Sequence, residues 1–169
     1  LLSLARLRHV EEADESLPLD LRKALHDSVL EWAQREVAMQ HDLGLAELPA
    51  EPMLIQGQAW ALRELLGNLI DNALRYTPSG SEITLGLNAI GNHIMLYIED
   101  NGPGVDPEIH PRLFQPFERG GRQDTHGSGL GLAIVDTIAQ RHAAKLQVKE
   151  RPPHGLRIEV HFPAAGEGS

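Results

Sequence analysis

Apolar residues change their spacing several times along this chain, and each change marks an element. Leu62, Leu65, Leu66, Leu69, Ile70 and Ala73 fall on one face when read at about 100° per residue. That spacing predicts a helix from about Gln58 to Tyr76, ended by Thr77-Pro78-Ser79-Gly80. Upstream, Leu21, Leu25, Val29, Trp32 and Val37 predict an amphipathic helix capped by Asp20 and broken by His41-Asp42 and Gly44. Short apolar runs over residues 43–48 and 53–56, parted by Pro49-Ala50-Glu51-Pro52, predict two strands and a turn. Residues 83–87 and 93–100 flank Gly91-Asn92, a hairpin signal, and residues 145–150 and 156–162 alternate across Pro152-Pro153-His154-Gly155 as a second hairpin. Between them, residues 130–142 carry a third helical pattern.

Hairpins beside helices, with few strand–helix–strand alternations, indicate an α+β fold with helices stacked on one face of a mixed sheet. Residues 1–10 place Leu1, Leu4 and Leu7 at helical spacing and read as the end of a longer helix. Residues 11–19 read as a linker, 20–163 as one domain and 164–169 as a disordered tail. At 169 residues and 41% hydrophobic content, one well-formed core is expected.

Two Asn one turn apart change this picture. Glu64, Asn68, Asp71, Asn72 and Arg75 form the stripe opposite the apolar face. An exposed helix face favours Lys, Glu and Arg, because short amides compete with the helix backbone. The stripe is either an ordinary polar face or a row of neutral oxygen ligands plus a cation, suited to a hydrated Mg²⁺ and the phosphates it carries. The net charge of −9 argues against nonspecific nucleic-acid binding, which needs a basic surface. It also means that a bound polyphosphate must be held locally, by backbone N–H groups, helix N-termini and placed arginines. The absence of cysteine excludes a disulfide frame and a thiolate metal site.

Two further stretches bear chemistry. Asp100-Asn101-Gly102-Pro103-Gly104 ends a strand with an acid and glycines, which reads as a tight turn or as a carboxylate presented to a base edge. Gly127-Ser128-Gly129-Leu130-Gly131-Leu132 opens a helix whose N-terminal N–H groups suit an anion. A flexible hinge is the alternative. The string follows a loop and not a strand, so a dinucleotide-binding turn is disfavoured, and no Gly-Lys-Ser/Thr of a Walker loop is present.

Taken in order, residues 68–76, 100–104, Phe114-Gln115-Pro116-Phe117-Glu118-Arg119 and residues 127–132 resemble the N, G1, F and G2 boxes of two-component sensor histidine kinases. The resemblance covers about residues 20–163. It implies the Bergerat-type fold, a two-layer α/β sandwich with a mostly antiparallel sheet and ATP held between the helix layer and a lid formed by residues 101–128. It assigns Asn72 to Mg²⁺ and Asn68 to the phosphate and metal neighbourhood. Arg75 takes the place of a phosphate-contacting Lys or Arg, and Tyr76 that of a ring beside adenine. Asp100 would accept from the adenine amino group while Gly102 and Gly104 let the backbone pass the base. Gly127, Gly129, Leu130 and Gly131 would bring lid N–H groups to the phosphates, Arg119 would meet the γ-phosphate, and Phe114 and Phe117 would anchor the lid.

The implied reaction is transfer of the ATP γ-phosphoryl group to a histidine on the protein's own dimerisation domain, for relay to a response regulator. The implied setting is the cytoplasmic part of a homodimeric inner-membrane sensor. No residue here is assigned as a catalytic base. Among the nine histidines, His26-Asp27 comes nearest to the family's phosphoacceptor but lacks the Thr/Asn-Pro that follows it, and His142-Ala143-Ala144 stands where the family often has His-Gly-Gly. Hydrolytic ATPases and serine kinases of the same fold carry Glu at the position of Asn68; a noncatalytic binding module is the other alternative.

Overall fold

The structure is a computed structural model that describes residues 16–116 and 130–165. A short strand β1 (Leu17–Asp20) leads into helix α1 (Leu21–Ala33). Strands β2 (Asp42–Leu45) and β3 (Leu54–Gly57), helix α2 (Ala59–Tyr76), strands β4 (Glu82–Ile90) and β5 (His93–Asp100), helix α3 (Gly131–Arg141) and strands β6 (Lys145–Glu150) and β7 (Leu156–Pro163) follow. The main sheet has the order β2-β4-β5-β7-β6. All its pairings are antiparallel except β2 with β4.

Period-2 alternation gives that sheet two unlike faces. Ile83, Leu85, Leu96, Ile98, Ile158, Val160 and Phe162 are buried in one core with Leu62, Leu65, Leu66, Leu69 and Ile70 of α2. The opposite face carries charge. Glu159 of β7 is buried there and meets Arg157 Nε at 2.7 Å, His161 Nε2 at 3.0 Å and Lys149 Nζ at 3.1 Å. Burial pushes its carboxyl up, but those hydrogen bonds outweigh burial and hold it at about 2, against an ordinary 4.5. Because the folded value is depressed, Glu159 adds stability that is complete above pH 4.5 and lost as pH falls toward 2. Glu159→Gln should therefore flatten the acid limb of a stability–pH curve, read as the difference between variant and parent in urea titrations from pH 5 to pH 2.

Several sequence expectations change. Residues 17–19, read as the end of a linker, form β1 together with Asp20 and pair antiparallel with β3. The runs at 43–48 and 53–56 are strands, but they enter different sheets, since β2 pairs with β4 and β3 with β1. Asp20 caps α1 as expected, accepting from Arg22 N–H at 3.0 Å, and it also accepts from Met53 N–H at 3.1 Å. Helix α1 stops at Ala33, and Val37 lies in a separate 3-10 turn (Glu36–Gln40) that buries Ala38 instead. Of the tail, Ala164 and Ala165 are held by backbone bonds to Asn92 and Leu54; residues 166–169 lie outside the described residues, as do 1–15.

Helix α3 ends in a left-handed turn that favours glycine. Ala143 has φ +53°, Ala144 N–H bonds Ala139 O at 2.8 Å and Ala143 N–H bonds Gln140 O at 3.2 Å. This is a Schellman closure with the wrong residue at its left-handed position. Ala143→Gly should stabilise the fold by about 1 kcal/mol, the left-handed penalty on a Cβ less the extra freedom of Gly when unfolded. Urea denaturation checks it. The preceding residue, His142, turns inward: Nδ1 donates to Ile138 O at 2.8 Å, and Nε2 accepts from Gln58 N–H, at the start of α2, at 3.3 Å. Burial pushes its imidazole below the ordinary value, in keeping with an unprotonated Nε2.

Candidate nucleotide site

The second half of α2 faces the end of β5 across a cleft. Asn72, Ala73 and Tyr76 from the helix, Asp100 from the strand, Gly104 and Val105 from the following turn and Leu156 from the start of β7 line it. The sheet places Asp100 there because the buried face of β5 runs Ile94, Leu96, Ile98, Asp100 and ends on the carboxylate. Two backbone donors aim it: Gly102 N–H at 2.9 Å and Leu156 N–H at 3.4 Å, both to Oδ1.

The glycines of the turn are set by close packing. A Cβ on Gly102 would come within 2.8 Å of Thr77 Cγ2. Gly104 has φ +77°, and a Cβ there would stand 3.0 Å from Gly155 O. Thr77 is fixed in turn at the end of α2, where its Oγ1 donates to Ala73 O at 2.7 Å and its carbonyl accepts from His41 Nε2 at 3.1 Å.

One turn earlier, Asn68 departs from the expected exposed stripe. It is 1% exposed, because α2 packs against α1 on one side and α3 on the other and so buries more than a single apolar face. Its Nδ2 donates to Glu64 O at 2.8 Å. Its Oδ1 has no hydrogen-bond partner among the described residues, and it points at the first turn of α3, where a Cβ on Gly131 would lie 3.2 Å away. Leu130 precedes that turn, and no side chain caps it. A buried amide oxygen without a donor costs free energy unless something outside the chain meets it. Water, or a cation that arrives together with an anion, meets that need, and the helix N-terminus beside it favours the anion. No group of three or more His, Asp or Glu gathers among the described residues. A metal beside the Asn68 amide oxygen would complete its shell with water and ligand phosphates, a donor set that Mg²⁺ accepts.

Arg75 is exposed, with Nε donating to Asp71 Oδ2 at 2.9 Å, and it is not among the cleft-lining residues. Arg119, Gly127, Gly129 and Phe117 lie outside the described residues. Val105 and Leu156 line the cleft and carried no signal of their own in the sequence: both are ordinary apolar residues, and Leu156 acts through its backbone.

Residues 57–166 match the family model described as histidine kinase-, DNA gyrase B- and HSP90-like ATPase. The chain is 36% identical over 162 residues to sensor protein QseC of Escherichia coli K12, covering 96% of this chain and 35% of that protein. It is 34% identical over 169 residues to the phosphate regulon sensor protein PhoR of Pseudomonas aeruginosa PAO1, covering 98% of this chain and 38% of that protein. The chain thus spans little more than a third of these relatives. Among solved structures, the mycobacterial sensor histidine kinase MprB superposes with a TM-score of 0.78 at 27% identity, covering 88% of this chain and 98% of that one. The histidine kinase domain of the E. coli osmosensor EnvZ gives 0.67 at 28%, covering 92% and 93%.

Proposed function

Because this chain belongs to the histidine kinase-, DNA gyrase B- and HSP90-like ATPase family, we propose that it is the ATP-binding catalytic domain of a two-component sensor histidine kinase. It transfers the γ-phosphoryl group of ATP to a histidine on the dimerisation domain of the same protein, for relay to a response regulator. The observation that carries this reading is Asn68: a buried amide with an unpartnered oxygen stands at the α3 N-terminus, where hydrolytic relatives would carry a carboxylate. A carboxylate can deprotonate or orient water, whereas an amide cannot act as that base. The site therefore suits positioning and charge neutralisation, which are most of what phosphoryl transfer requires.

Adenine occupies the cleft between Tyr76 and Leu156, with its amino group donating to Asp100. Asn72 would hold Mg²⁺, with Asn68 in the metal's neighbourhood; the ion, when bound, would neutralise phosphate charge. The N–H groups at the start of α3, with Gly127, Gly129, Leu130 and Gly131, receive the phosphates, and Arg119 and Arg75 add positive charge. Arg75 does so while sharing Asp71. No residue here serves as catalytic base, and none of the nine histidines is the acceptor. Among the described residues no helix is long and apolar enough to cross a membrane; we place the chain on the cytoplasmic side of a homodimeric inner-membrane sensor.

Incubation with γ-labelled ATP, with and without an added dimerisation segment bearing a His-acid-x-x-Thr/Asn-Pro string, tests the reaction. Acid-labile, base-stable label on the added segment supports it. Label on this chain alone, or steady release of phosphate, overturns it in favour of a hydrolytic or serine-directed relative.

A further inference from the structure

The loop between β6 and β7 packs against the end of β5 and the turn that follows it, beside the cleft, and carries a side-chain contact to that turn. Gly155 of this loop sits against the end of β5 so closely that a Cβ on it would fall 1.9 Å from Asp100 O. Gly104, in the turn after β5, would place a Cβ 3.0 Å from Gly155 O if it carried one. The two loops therefore touch backbone to backbone. His154 bridges them: its Nδ1 lies 3.1 Å from Gly102 O. A carbonyl oxygen can only accept, so Nδ1 carries the proton and the ring donates.

Gly102 is thus held at both ends, its N–H by the Asp100 carboxylate and its carbonyl by His154. The second donor to Asp100 Oδ1 is Leu156 N–H, two residues beyond His154, at 3.4 Å. That bond is near the length at which a hydrogen bond ceases to be one, so a small outward shift of the loop removes it. We propose that His154 is a positioning residue for adenine recognition: its bond to Gly102 ties the β6–β7 loop to the turn after β5 and keeps both backbone donors on the Asp100 carboxylate. The proposal rests on the reading of Asp100 as the acceptor for the adenine amino group. His154 is exposed, so truncating it removes the tie without opening the core.

The test is calorimetric titration of the chain with ATP and with GTP in Mg²⁺, together with thermal midpoints, for the parent, His154→Ala, His154→Asn and Asp100→Asn. His154→Ala should weaken ATP roughly two- to tenfold, the range of one hydrogen bond, and narrow the ATP-over-GTP ratio by the same factor. Its melting temperature should stay that of the parent. His154→Asn, whose amide N–H can donate to the same carbonyl, should restore most of the ratio. An unchanged ratio in His154→Ala, while Asp100→Asn loses it, overturns the tie and leaves the adenine reading standing. Equal weakening of ATP and GTP with a lowered melting temperature overturns it too, as a general structural role. A full ratio in Asp100→Asn removes the adenine reading and this inference together.

Discussion

Asp100→Asn is expected to weaken ATP binding roughly five- to hundredfold while leaving the fold intact. The carboxylate accepts two backbone N–H groups through Oδ1. In the variant those donors hold the amide oxygen on their own side, because the amide nitrogen cannot accept. The NH₂ group then faces the cleft, where the adenine amino group is itself a donor. An isosteric change thus turns one donor–acceptor pair into two opposed donors, costing about 1–3 kcal/mol at a site that is 8% exposed. Titration with ATP, and separately with GTP, reads the effect. GTP, which offers a carbonyl at that edge, should lose less or gain. A variant that binds ATP as tightly as the parent contradicts the assignment.

The second large effect is on stability. Phe162→Ala should cost about 3–5 kcal/mol, a large share of the about 5–15 kcal/mol that holds an ordinary domain folded. Phe162 is fully buried, lies opposite Ile94 across the β5–β7 pair, and meets the His142 ring edge-on with centroids 6.3 Å apart. Removing it leaves a cavity under the sheet and loosens the imidazole that accepts from Gln58 at the start of α2. The loss reaches the helix that carries Asn68 and Asn72. Phe162→Leu keeps most of the volume and should cost much less. Equilibrium urea unfolding measures both, and a Phe162→Ala midpoint near that of the parent would contradict this account of the core.

How far these features were legible depends on the kind of signal each one leaves. Helix α2 was plain, since its apolar positions repeat at 3.6 residues and its end is marked by Thr77-Pro78. Both long hairpins were plain too, because alternation and turn residues are local. Strand β1 was not: Leu17-Pro18-Leu19-Asp20 alternates too briefly to count, and its partner β3 lies far along the chain. The same limit hid the parallel pairing of β2 with β4, which no turn announces. Val37 matched the helical period of α1, yet the helix had already ended at Ala33.

Within the site, Asp100, Asn72 and Tyr76 were legible through their residue types in an order shared with the kinase boxes, and they line one cleft. The burial of Asn68 was not. A periodicity argument credits a helix with one buried face, whereas α2 packs against helices on both sides as well as the sheet. Nor was the part played by the β6–β7 loop. Its contribution to Asp100 is a backbone N–H, and backbone groups leave no trace in residue type.

The measurement that bears most directly on the central claim is calorimetric titration of this chain with ATP, with and without Mg²⁺, for the parent and for Asn72→Ala. The account predicts binding that strengthens with Mg²⁺, and an Asn72→Ala variant that loses most of that Mg²⁺-dependent gain while keeping its metal-free affinity for the nucleotide. No detectable heat at millimolar ATP in either condition, with the chain folded, would contradict it.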